Sequence, residues 1–139
     1  MKYATLAELP VIKAHSTEGA PLVEVFYKHR DSALRRDIMA GWDHFLAQQG
    51  HHFGSIEDVL AEHYVKLGEF NSNRDEYYIT TQLLQGDIYS PNGEARSVIE
   101  PLDIAHTSFY SGDIIRMNGA YFFMDDEDGL INIGYVKQS

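Results

Sequence analysis

The chain has 139 residues, 44% of them hydrophobic and 12% aromatic, no cysteine, and a formal net charge of −10 from 21 acidic and 11 basic residues. That length fits a single domain over residues 1–139 with a core of its own, and the missing cysteines exclude a disulfide framework, a thiolate-bound zinc and a cysteine nucleophile. Residues 1–54 balance six acids against six bases, whereas residues 55–139 hold fifteen acids and five bases, a distribution that argues against direct nucleic-acid binding, which needs clustered Lys and Arg to neutralise phosphates.

No apolar run approaches the ~18 residues that a membrane span requires. Residues 1–10 carry Lys2 and Glu8 without an apolar stretch, so no signal peptide is expected. A soluble, cytoplasmic protein with no membrane contact is the expectation.

In chain order, residues 1–14 have room for a short strand, with Pro10 against it, and residues 16–21 read as a loop. Leu22–Lys28 is short and rich in β-formers (Val23, Val25, Phe26, Tyr27), the signature of a strand. Asp31 and Ser32 offer caps for a helix to about residue 48. Its stripe is Leu34, Ile38, Trp42, Phe45 and Leu46, with Gly41 inside it at a cost of ~1 kcal/mol relative to Ala. Ser55 caps a second helix, in which Ile56, Val59, Leu60, Tyr64 and Leu67 form one face and Gly68 supplies the stop.

Residues 71–75 read as a turn and residues 76–84, with Tyr77, Tyr78, Ile79, Thr80 and Thr81, as a strand. Ser90 as cap and Pro91 at the first helical position open a short helix that Pro101 ends. The last third predicts a β-meander. Residues 107–117 lead to Asn118-Gly119, the strongest two-residue hairpin signal; residues 120–124 return, residues 125–129 turn again, and residues 130–136 form a last strand. The pattern predicts an α+β fold with two helices of the N-terminal half packed on a mostly antiparallel sheet.

Candidate chemistry is sparse. His15-Ser16-Thr17 and His106-Thr107-Ser108 both fit H-x-[ST]. Two such tripeptides far apart mark the two-histidine phosphoesterases, which the chain resembles in this respect. The resemblance implies an acid–base pair of His15 and His106, with Thr17 and Ser108 holding phosphate oxygens. Glu18 stands where an apolar residue belongs after the first tripeptide, so this enzyme reading is the alternative. His51-His52 and Asp43-His44 lack ligand spacing, and neither a metal nor a cofactor is expected. Asp125, Asp126, Glu127 and Asp128 precede Gly129. An EF-hand register would start at Met124 and end at Tyr135, which cannot supply the end carboxylates, so a charged turn is the expectation.

Two stretches carry a further resemblance. Tyr89-Ser90-Pro91-Asn92-Gly93-Glu94-Ala95-Arg96 is followed by His106-Thr107-Ser108-Phe109-Tyr110-Ser111-Gly112-Asp113-Ile114-Ile115. Together they resemble a group of small phage and plasmid proteins of no established activity, over about residues 55–125. Tyr110 replaces the second Ser of that group's H-T-S-x-S-x-G-D motif. The resemblance implies a genomic context and not a reaction. Asn92, Arg96, His106, Ser108 and Asp113 are the candidate polar site, although local backbone capping accounts for the same residues. The reading that results is a non-enzymatic binding module for a host or phage protein, offering an acidic surface. DNA mimicry or a virion role stands behind it.

Overall fold

A computed structural model describes residues 3–29, 38–49, 55–102, 104 and 108–136, with residues 48 and 49 described by their backbone alone. Five strands form one antiparallel sheet: β1 (Leu22–Lys28), β2 (Tyr64–Asn71), β3 (Ile114–Met117), β4 (Ala120–Asp125) and β5 (Gly129–Tyr135), in the order β2-β1-β3-β4-β5. The class is α+β as expected, and β3, β4 and β5 form the C-terminal meander. Asn118 and Gly119 turn β3 into β4 with φ of +53° and +74°, the pair of positive angles that a type I′ hairpin demands.

Strand alternation sends side chains to opposite faces, and each face has its own core. On one, Val23, Val25, Tyr27, Ile115 and Met117 meet Leu6, Leu9, Ile12, Ile79, Tyr89 and Val98. On the other, Phe26, Tyr64, Ile114, Tyr121 and Phe123 meet Ile38, Trp42, Phe45, Val59 and Leu60. The second face is covered by two of the helices in the chain's first half, α2 (Trp42–Gln49) and α3 (Ile56–His63). They cover only part of it. Glu24, Lys66 and Arg116 occupy the remainder as a charged row.

Several elements depart from the sequence expectations. In the described part of residues 1–14, from residue 3 on, the expected strand is replaced by a tight turn at Leu6–Glu8 and a short helix, α1 (Pro10–Lys13), that Pro10 initiates from its first position. Gly41, at φ +126°, separates helical Ile38 and Met39 from α2, so it starts a helix where an interior position was predicted. Residues 31 and 32, the predicted caps, lie outside the described residues.

The second predicted helix stops early. Ser55 accepts a hydrogen bond from the Asp58 N–H at 3.3 Å, as a capping residue should, but α3 ends at His63 and Tyr64 begins β2. The misleading helical pattern comes from a bulge within β2. Val25 pairs with Gly68 and Phe26 with Lys66, leaving Leu67 as the extra residue. Burial then falls on Tyr64, Leu67 and Phe70, a three-residue spacing that mimics one face of a helix.

Residues 76–84 are helical instead of extended: α4 (Glu76–Tyr78) continues into a wider turn at Ile79–Leu83. Asp75 caps it by accepting the Tyr78 N–H at 2.8 Å. The Thr80 and Thr81 hydroxyls donate back to the Glu76 and Tyr77 carbonyls at 2.9 and 2.6 Å, so these β-formers are held in a helix by local bonds. The helix predicted from Pro91 starts instead at Arg96, as α5 (Arg96–Ile99). Ser90 does not cap it, because its hydroxyl donates backwards to the Asp87 carbonyl at 2.7 Å. Of the strand expected over residues 107–117, residue 107 lies outside the described residues and residues 108–117 are extended only in β3, since residues 111 and 112 form a turn.

Gly68 lies under the N-terminal segment, and a Cβ there would sit 2.5 Å from the Leu6 Cβ. Gly68→Ala is expected to destabilise the protein by about 1–3 kcal/mol through overpacking. Adding Leu6→Ala should recover less than the loss that Leu6→Ala causes alone, as read by urea denaturation of the two single variants and the double.

Candidate functional site

Among the described residues, Lys28 is a charged side chain held inside the protein by several contacts at once. Strand parity puts it on the same face as Phe26, pointing inward, and it is fully buried. Its ammonium pairs with the Asp113 carboxylate at 3.0 Å, with both side chains at 0% exposure. It also donates to the Ser111 carbonyl and sits 4.8 Å above the centre of the Tyr110 ring. Asp113 does more than neutralise it. One carboxylate oxygen accepts the Lys28 backbone N–H at 3.1 Å, and the other accepts the Tyr110 N–H at 2.9 Å.

This bridge closes residues 110–113 into a turn. The Tyr64 hydroxyl donates to the Gly112 carbonyl at 2.6 Å, and the Gly112 N–H donates to the Met124 carbonyl at 2.8 Å. Gly112 has φ +91° and a Cβ there would meet the Lys28 stem at 2.8 Å, so both backbone angle and space require glycine. Burial pushes the Tyr64 and Tyr27 phenols well above their ordinary range, with the charge of Asp113 adding to it.

The turn also orders the acidic loop. The Ser111 hydroxyl donates to Asp126 at 3.0 Å, and Asp125 accepts the N–H groups of Glu127 and Asp128 at 3.0 and 2.9 Å. The charged turn read from the sequence is thus a capped turn with Asp126, Glu127 and Asp128 exposed. Across from it stand residues 39–44, and the two segments enclose an open cavity of about 310 Å³. Among the described residues no cluster of His, Asp and Glu is arranged to hold a metal ion.

The candidate residues are distributed widely. Asp113 is sealed inside with Lys28. Asn92 is exposed, and Arg96 is exposed and pairs with Glu100 at 3.4 Å one helical turn on. Ser108 is half-buried beside Phe109, which packs 6.2 Å from the Tyr27 ring. His106 and Thr107 lie outside the described residues. The S-P-N-G-E-A-R stretch is a compact turn. A Cβ at Gly93 would lie 2.2 and 2.3 Å from the Ile88 and Asp87 carbonyl oxygens, a contact that only glycine allows. His15 and Thr17 sit at the end of α1, where the Thr17 N–H donates to the Asn71 carbonyl at 2.9 Å and the His15 ring accepts from Arg74 at 3.2 Å.

The charged row on the open sheet face also escaped the sequence reading. Arg116 grips Glu24 through two parallel bonds of 2.8 and 2.6 Å and reaches the Tyr121 hydroxyl at 3.2 Å, while Lys66 donates to Glu24 at 2.9 Å and to Glu69. The Arg116 guanidinium lowers the Glu24 pKa to about 2, and Lys66 adds to the effect. Glu24 and Arg116 are 92 residues apart in sequence, so nothing local announces them, whereas Lys28 at an inward strand position was open to detection. No protein-family model matches the chain, and no curated protein or solved structure matches it either.

Lys28→Met and Asp113→Asn should each cost about 3–5 kcal/mol, because each leaves a buried partner uncompensated. Lys28→Met/Asp113→Leu should cost less than the two singles together, measured by urea denaturation as a double-mutant cycle. For Glu24 the folded pKa is depressed, so its contribution is present above the ordinary value of 4.5 and is lost as pH falls toward about 2. Its size is at most about 3 kcal/mol before solvent screening. Glu24→Gln is therefore expected to flatten the stability profile between pH 5 and about pH 2, as followed by thermal melts.

Proposed function

We propose that this protein is a binding module that docks a basic segment of another protein against its acidic loop. The observation that carries the reading is the pre-shaped turn at residues 125–128. Its backbone is capped by Asp125, its base is tied to Ser111, and its exposed carboxylates border the cavity opposite residues 39–44. A turn ordered before binding loses little entropy on association. Its carboxylates, in an acidic C-terminal half, attract a basic partner and speed encounter.

The resemblance of residues 89–96 and 106–115 to small phage and plasmid proteins supports a host protein as that partner. Among the described residues, no helix is long and apolar enough to cross a membrane.

The test is capture from nuclease-treated bacterial lysate with the tagged protein at low and high salt, beside Asp126→Asn/Glu127→Gln/Asp128→Asn. Asp125 is kept because it caps the turn. The expected result is one dominant basic partner that high salt releases, with affinity for the triple variant down roughly tenfold through a slower on-rate. An empty capture, or equal retention by the triple variant, removes the acidic loop as the docking element.

A further inference from the structure

On the seam between α1 and the connection from β2 to α4, Arg74 is held by one backbone contact and two side-chain contacts. Its backbone N–H donates to the Ser72 hydroxyl at 3.1 Å, and that hydroxyl in turn donates to the His15 carbonyl at 2.8 Å. Its side-chain Nε–H donates to His15 Nδ1 at 3.2 Å. Its guanidinium lies 4.6 Å from the centre of the Tyr78 ring, which itself sits 5.4 Å from the His15 ring. Asp75, the nearest acid in sequence, is turned away to cap α4 through the Tyr78 N–H.

These contacts use one edge and one face of the guanidinium. The far edge, Nη1 and Nη2, makes no hydrogen bond or ion pair among the described residues, although the chain carries a net charge of −10. Arg96 and Arg116, by contrast, are both paired with carboxylates. Acceptance at Nδ1 fixes the His15 tautomer with its proton on Nε2, a further donor on the same exposed cluster. A planar fork with its orientation set in advance is the arrangement that takes an oxyanion through two parallel bonds.

The geometry points to Arg74, with His15 beside it and Tyr78 beneath it, as a binding site for an oxyanion group, a phosphate or a carboxylate. The site is separate from the acidic loop, and neither reading depends on the other. Arg74 recognises the charge, His15 and Ser72 hold it in position, and Tyr78 sets the plane of the fork.

The experiment is an NMR titration of the full chain, following the Arg74 Nε–Hε signal and the His15 ring protons. Inorganic phosphate and acetate are added in separate arms, each against sodium chloride of equal ionic strength. A saturable shift of both signals in either arm supports the site, and the responding arm names the ligand class. Arg74→Lys keeps the charge and removes the fork, so the His15 signals should then report affinity weakened at least tenfold. Unchanged dispersion elsewhere in the spectrum confirms that this variant is folded. Shifts that only track chloride in both arms overturn the inference, and so does equal affinity in Arg74→Lys.

Discussion

The buried ion pair between Lys28 and Asp113 joins the end of β1 to the turn that leads into β3. An ammonium and a carboxylate removed from water cost several kcal/mol each, and attraction offsets that only when the remaining bonding capacity is filled. Here it is filled from both sides. The ammonium also meets the Ser111 carbonyl, and the carboxylate also accepts backbone N–H groups of Lys28 and Tyr110. The end of β1 is thereby tied to the turn that begins β3, with Tyr64 of β2 donating to the same turn. Three strands meet at one polar point between apolar layers.

The acidic loop inherits its shape from this point. Ser111 touches the buried pair through its carbonyl and the exposed loop through its hydroxyl, so one residue relates an interior charge to a surface one. Gly112 lets the chain pass over the Lys28 stem at a positive φ. A loop set on such a support has its geometry fixed by the fold itself. Arg74 repeats the principle elsewhere, with its guanidinium held by the Tyr78 ring and the His15 imidazole and its backbone N–H by the Ser72 hydroxyl.

Of the motif residues, some have a clear structural purpose. Gly93 is pressed on the Asp87 and Ile88 carbonyls, Gly112 on Lys28, and Asp113 completes the buried pair. These positions were legible as special backbone geometry from Asn92-Gly93 and Gly112-Asp113 alone. Their partners were not legible, because Lys28 lies 85 residues from Asp113. Proximity of that kind is a product of sheet order.

Local physics determined β1, the α3 cap at Ser55, the Asn118-Gly119 hairpin and the α+β class, since propensity, capping and turn angles act within a few residues. The balance of charge between the two halves was likewise plain in the sequence. Tertiary structure decided most of the rest. The bulge at Leu67 made a strand look like a helix face, whereas the β-rich run at residues 76–84 was turned into a helix by bonds from Asp75, Thr80 and Thr81 that are themselves local and were outweighed in the reading by β propensity. Pairings such as Glu24 with Arg116, Lys28 with Asp113 and His15 with Arg74 exist only because strand order and the folding-back of α1 bring distant segments together. No local pattern encodes that placement, because its energy lies in contacts between elements.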